Sequence, residues 1–244
     1  MDALKEVMDN MEVVDDAETD DSKHCDNCIS GWVHYEEKQK YCDCEKGKNK
    51  RKQDIEKNIT QAEIPKRYQK ACLSDFSEDK KYIKVVNAFV DRADNILNNT
   101  EGKKGIFFTG PPGTGKTHLS VAILKAIIEE HLYNHRVVSG MFASVPRMLS
   151  RLRPGGDEGY LNRIIEAEFL ILDDLGREKS SEWVEEQLYL ALNERYNELR
   201  PTIITANYGL EELGGGTWGA LADRLAEFLH VMEIDGKNYR KEGI

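Results

Sequence analysis

Eight consecutive residues, Gly110-Pro111-Pro112-Gly113-Thr114-Gly115-Lys116-Thr117, constrain this chain more than any other feature. They fit the pattern GxxxxGK[ST]. They follow the short apolar run Ile106 to Thr109 and precede Thr117 to Glu130, where Leu119, Ala122, Ile123, Ala126 and Ile127 recur at helical spacing. Strand, glycine-rich loop and helix in that order make an anion cradle. Successive backbone N–H groups point inward at phosphate oxygens, and side chains at Gly110, Gly113 and Gly115 would block that approach. The helix that follows presents its positive end to the anion. Lys116 reaches the outer phosphates as a mobile point charge, and Thr117 offers a hydroxyl to Mg²⁺. The eight residues with the next one, His118, form the candidate nucleotide-binding set.

A second strand-end motif turns phosphate binding toward hydrolysis. Phe169-Leu170-Ile171-Leu172 is an apolar, strand-sized run closed by two carboxylates, Asp173 and Asp174. Ligands of parallel sheets sit beyond the carboxyl ends of the strands, so both acids should arrive at the phosphates. Asp173 is the candidate Mg²⁺ ligand and Asp174 the candidate for orienting the attacking water. Thr202 to Thr205 reads as another strand, ending in Thr205-Ala206-Asn207, and the Asn207 amide is placed to contact the water or the terminal phosphate. Tyr82 to Leu97 and Trp183 to Asn197 read as helices, and Val137 and Val138 as the start of a further strand. Strands alternating with helices predict a parallel sheet covered on both faces.

Composition narrows the surroundings. The chain has 244 residues, with 34 Lys and Arg against 44 Asp and Glu, for a net charge of −10. A globally acidic protein is a poor general DNA-coating protein, so nucleic-acid contacts must be local. No apolar run approaches the ~20 residues of a membrane span, and no export signal is evident at the N-terminus. A reducing cytoplasmic setting is the expectation. There the five cysteines read as metal ligands or inert thiols rather than disulfides.

Four regions follow from composition. Residues 1–22 are an acidic arm or helix. Residues 23–60 carry Cys25-x2-Cys28 and Cys42-x-Cys44, whose four thiolates could close a structural Zn²⁺ site in a segment too polar to fold around a core of its own. Residues 61–80 form a linker with a hinge near Pro65, and residues 81–244 the nucleotide-binding domain. Pro146 to Arg153 places Arg147 and Arg151 four apart on one helical face, with Arg153 beyond them.

GPPGTGKTHL at 110–119, LILDDLG at 170–176, Asn193-Glu194-Arg195-Tyr196 and Ile203 to Asn207 resemble the AAA+ ATPases of the DnaC/DnaI helicase-loader and IstB transposition-helper group. The resemblance covers about residues 25–240. It implies an α/β P-loop NTPase core with sheet order 5-1-4-3-2, helices on both faces and no helical lid domain, preceded by a small zinc-binding module. It implies ATP with Mg²⁺ held between neighbouring copies of a homo-oligomer, and Arg224, in Gly219 to Leu225, as the arginine supplied across that interface. Arg240 is the only stand-in for a lid-borne arginine. The group's single-stranded DNA contacts fall on the helix carrying Arg147, Arg151 and Arg153. The function expected is loading of a replicative DNA helicase, with a transposition helper as the alternative and a small-molecule P-loop kinase a more distant one.

Overall fold

The computed structural model describes residues 32–35, 38–76, 81–100, 102–133, 138–176, 181–213 and 217–240. The acidic arm 1–22 and both Cys25 and Cys28 lie outside them. Strands β1 (Trp32–Tyr35) and β2 (Lys38–Tyr41) pair as an antiparallel hairpin, and α1 (Glu45–Gln61) follows. Two short 3₁₀ turns, Lys66–Tyr68 and Leu73–Asp75, lead to α2 (Lys81–Asp91) and α3 (Ala93–Leu97). The single helix expected over Tyr82 to Leu97 is therefore two, broken at Arg92, whose backbone turns out of the helical region.

The core alternates as expected. It runs β3 (Gly105–Thr109), α4 (Lys116–Tyr133), β4 (Gly140–Ser144), α5 (Val145–Leu152), α6 (Tyr160–Glu166), β5 (Phe169–Leu175), α7 (Glu182–Asn197) and β6 (Thr202–Ala206). A 3₁₀ turn (Leu210–Leu213), α8 (Thr217–Phe228) and β7 (Leu229–Glu233) complete it. The second core strand begins later than Val137–Val138. Val138 is already buried ahead of β4, whereas the small residues Gly140, Ala143 and Ser144 occupy the strand itself.

The five core strands lie in the order β4-β5-β6-β3-β7, all parallel. Numbered within the core, that is 2-3-4-1-5, the order 5-1-4-3-2 read from the other edge. The sheet is buried on both sides because successive residues serve opposite faces. On β3, Ile106 and Phe108 pack under α1 to α4, while Phe107 packs under α5 to α8. The outer edge of β4 is not bare: the Phe142 N–H donates to the Ala62 carbonyl at 2.7 Å, which ties the end of α1 to the sheet.

Arg195 is the largest fully buried side chain. Its guanidinium donates to the Thr202 hydroxyl and to the carbonyls of Ile164, Ile165, Ala167 and Pro201, at 2.6 to 3.0 Å. It staples the end of α6 to the approach of β6. This arginine is structural: it is shut off from solvent and its donors are spent within the chain. Arg195→Ala should therefore strip four carbonyls of a donor and lower stability by roughly 3–5 kcal/mol, the scale of a broken buried charge network. Urea unfolding followed by circular dichroism measures it.

Candidate nucleotide site

The loop at 110–117 joins the end of β3 to the start of α4, and its glycines are required by backbone conformation. Gly110, Gly113 and Gly115 have φ of 129°, 90° and 99°, values that a side chain makes costly. The space where a Cβ would stand is taken by the chain itself. A Cβ at Gly110 would meet the Ile234 carbonyl oxygen, at Gly113 the Asn238 amide, and at Gly115 the Phe76 ring at 3.4 Å. The glycines thus serve two approaches, that of a phosphate from above and that of flanking chain segments from the sides.

The functional side chains converge at the carboxyl ends of three neighbouring strands. Asp173, at the end of β5, is buried. Its Oδ1 accepts the Thr117 hydroxyl at 2.7 Å and the Thr205 hydroxyl at 2.8 Å. Burial pushes the Asp173 carboxyl above its ordinary range, and the two hydroxyls act against that rise. A buried acid carrying unmet charge beside a hydroxyl is the oxygen donor set that a hard divalent cation prefers, so the residues fit Mg²⁺.

Asp174 is aimed by a break in strand pairing. The β5–β6 register shifts between Leu172 and Leu175, and Asp174 takes the left-handed conformation with φ 61°. Aspartate tolerates that region better than most residues. Its N–H leaves the ladder and donates to Thr205 Oγ1 at 2.9 Å. Thr205 therefore sets both acids, one through its own proton and the other through its lone pair. In the sequence Thr205 reads only as a strand residue; its role comes from the register of β6 beside β5.

Lys116 is buried to within its ammonium, which donates to the carbonyls of Gly110 at 2.6 Å and Pro111 at 2.8 Å and to Asn207 Oδ1 at 3.1 Å. Burial holds its pKa below the usual lysine value, the charges of Asp174 and Asp173 oppose that, and Arg240 adds to it. The ammonium links the loop to the strand-end amide. His118, the third residue of α4, packs against the Leu73–Asp75 turn and Phe76. Its Nε2 lies 2.5 Å from Asp75 Oδ2, and its ring meets Phe76 edge-on.

The C-terminal segment closes one flank. Ile234 N–H donates to the Thr109 carbonyl and Tyr239 N–H to the Gly113 carbonyl at 3.0 Å. This seats Arg240 within electrostatic reach of Lys116 and Asp173.

Arg224 lies on α8 against α7. It donates to the Tyr189 hydroxyl at 3.1 Å and to Asn193 Oδ1, and its guanidinium stands 5.9 Å from the Tyr196 ring centre. Glu227, a helix-mate that could have paired with it, instead accepts from Tyr196. The three arginines of the α5 region part company. Arg147 and Arg153 are exposed. Arg151 is engaged within the chain, bridging Glu63 at 2.8 Å and Asp157 at 2.9 Å and stacking on Tyr160 at 3.8 Å. Cys42 is buried and Cys44 half-buried, at the start of α1. Among the described residues no cluster of three or more His, Cys, Asp and Glu side chains forms a metal site, and no helix is long and apolar enough to cross a membrane.

Residues 43–243 match the family described as IstB-like ATP binding protein. The chain belongs to that family. The α/β core and the P-loop ATPase class expected of the AAA+ group are those of the family. An ATP-binding protein of insertion sequence IS21 from Pseudomonas aeruginosa is 29% identical over 178 residues, 66% of this chain and 59% of that protein. The replicative helicase loader DnaI of Bacillus subtilis is 29% identical over 121 residues, 48% of this chain and 37% of that protein. A crystal structure of the DnaC helicase loader superposes with TM-score 0.57 at 30% identity, covering 70% of this chain and 100% of that one. The chain spans about three-fifths of the length of the first insertion-sequence relatives it matches.

Asp173→Asn removes a buried charge but keeps an oxygen that can accept both hydroxyls. A carboxyl whose folded pKa is raised contributes stability present below its unfolded pKa and lost as pH rises through the folded one. Asp173→Asn should therefore be more stable than the parent at pH 7 to 8, and the gain should vanish as pH falls below the ordinary carboxyl range. Hydrolysis should fall by at least about 100-fold. Thermal melts across pH, set beside phosphate release, test both halves.

Proposed function

We propose that this chain is an ATP-dependent loader that places a replicative DNA helicase on single-stranded DNA, hydrolysing ATP at a site shared by neighbouring copies. The observation that carries the reading is the convergence of Lys116, Thr117, Asp173, Asp174 and Asn207 at one end of the sheet, while the Arg224 guanidinium is engaged by Tyr189 and Asn193 of α7. One copy supplies the phosphate grip and the water-orienting acid, and a second supplies the guanidinium.

In this reading Gly110 to His118 hold the triphosphate, Lys116 contacts its outer phosphates, and Thr117 and Asp173 hold Mg²⁺. The bound ion neutralises phosphate charge. Asp174 orients and polarises the attacking water. Asn207, already linked to Lys116, reports loss of the terminal phosphate. Arg240 adds a positive charge from its own chain in place of a lid-borne one. The partner's Arg224 neutralises charge developing on the transferred group, and Tyr189 and Asn193 of its own chain fix its position. Arg147 and Arg153 contact single-stranded DNA, with Arg151 fixing the helix that presents them. Cys42 and Cys44, with Cys25 and Cys28, hold a structural Zn²⁺ in the module that meets the helicase.

The loader reading is supported by the 30% identity to the DnaC helicase loader along the whole of that structure. A transposition-helper reading is favoured by the insertion-sequence relatives. It keeps the same ATPase and exchanges the helicase for a transposase.

Two inactive variants decide the shared site. Asp174→Asn and Arg224→Ala should each lose about 10³-fold or more in turnover while retaining ATP binding. Mixed, they should recover a substantial fraction of activity, because one kind of interface pairs an intact Asp174 with an intact Arg224. No recovery on mixing, or an Arg224→Ala variant that turns over normally, rejects the arrangement. Capture of the replicative helicase by the full chain supports the loader, and capture of only a transposase replaces it with the helper.

A further inference from the structure

Gly176 closes the run LILDDLG, two residues past Asp174. The two bracket a tight turn in the left-handed region, with φ of 61° at Asp174 and 82° at Gly176. Between them Leu175 is fully buried and paired with Ala206 of β6. A non-glycine residue in that region is disfavoured on its own and persists only where its surroundings hold it. Thr205 holds Asp174 from one side, since its Oγ1 accepts the Asp174 N–H at 2.9 Å. Tyr208 closes the other side. Its hydroxyl and ring edge fill the space where a Cβ of Gly176 would stand. Glycine is therefore needed at 176 twice over, for its φ and for the tyrosine seated on it. Tyr208 is itself anchored fore and aft. Ala206 is buried in β6, and Leu210 is buried in the cluster that holds Leu221 and Leu225 of α8. The turn between is closed by the Gly209 N–H, which donates to Glu212 Oε1 at 3.1 Å, and by the Glu212 N–H, which donates to the Gly209 carbonyl at 3.2 Å.

We infer that Tyr208 is a positioning residue for ATP hydrolysis: seated on Gly176, it keeps the turn after β5 in the one conformation that aims the Asp174 carboxylate at the attacking water. The inference rests on the reading of Asp174 as the water-orienting acid. Tyr208 itself touches neither phosphate nor water in this scheme; it acts through the backbone of the turn. Three successive contacts from the exit of β6 set that backbone, Thr205 on Asp174, Ala206 on Leu175 and Tyr208 on Gly176. Displacing a catalytic group by about 1 Å costs on the order of 100-fold in rate, so the last of these contacts bears directly on turnover. Asn207, whose Oδ1 accepts from Lys116 at 3.1 Å, is the neighbouring residue. The lysine's amide partner and the clamp on the water-orienting turn thus leave β6 side by side.

The test uses the full chain. Hydrogen–deuterium exchange is read without nucleotide, so its outcome does not depend on the ATPase reading. Tyr208→Phe removes the hydroxyl and keeps the ring. It should speed exchange in peptides covering residues 173–176 by about tenfold, with α4 and β4 at parent rates. In turnover with Mg²⁺ and ATP, the same variant should lose roughly tenfold in kcat with KM within about twofold of the parent, the mark of an interaction made only in the transition state. Gly176→Ala should lose about 100-fold. Combined with Tyr208→Ala it should lose no more, because both changes release one clamp. Unchanged exchange over 173–176 overturns the inference alone. So does a parental kcat in Tyr208→Phe beside an inactive Asp174→Asn, a loss confined to KM, or losses that multiply in the double variant. Normal turnover in Asp174→Asn removes the site reading and the inference together.

Discussion

One carboxylate oxygen holds the site together. Asp173 Oδ1 accepts a hydrogen bond from the hydroxyl of Thr117, which β3 delivers through the phosphate loop, and another from that of Thr205 on β6. Three strand ends that are separate in sequence are thereby fixed to one atom. The bonds run from hydroxyls into a buried acid whose charge is otherwise poorly compensated, so they are stronger than neutral ones. Everything chemical is referenced to this point. Asp174 is aimed by the same Thr205, Lys116 precedes Thr117 on α4, and Asn207 lies two residues beyond Thr205. The sheet order makes the convergence possible, because β6 stands between β5 and β3.

The cost of such a site is local and visible. A buried acid, a lysine stripped of much of its water and a left-handed aspartate each disfavour the folded chain. The surrounding structure supports them with a sheet buried on both faces and with the Arg195 staple beneath. Arg195 illustrates how polar groups divide within one motif. It sits in the Asn193 to Tyr196 segment that also supplies Asn193 and Tyr196 to Arg224. One side of α7 is thus welded into the core, while another holds the Arg224 guanidinium of α8.

Much of this was legible in the residues. The glycine pattern with Lys116 and Thr117 forces a loop before a helix, and an apolar run ending in two acids leaves little choice but a buried strand. The features that escaped depend on pairing between distant segments. Thr205 matters because β6 lies beside β5, which no local pattern announces. The break at Arg92 escaped because the apolar stripe continues from Phe89 to Ile96 across it. Val138 reads as a strand start but lies buried ahead of β4, because β-branching reports burial as readily as extension. β7 has only Leu229 fully buried at its centre-facing end and alternates weakly thereafter, so its membership in the sheet is set by β3 rather than by its own sequence. The glycines were anticipated for the right loop but for half the reason, since the neighbours that crowd Gly110 and Gly113 come from more than a hundred residues away.

That crowding carries a thermodynamic corollary. Tyr239 is hydrogen-bonded to Gly113, and Asn238 occupies the space beside it, so the chain's tail and the phosphate cradle cannot be ordered independently. By reciprocity, whatever tightens the cradle must raise the tail's protection from solvent exchange, and whatever pulls on the tail must loosen the grip on phosphate by the same free energy. The segment carrying Asn238 and Tyr239 is in effect a lever arm on the cradle.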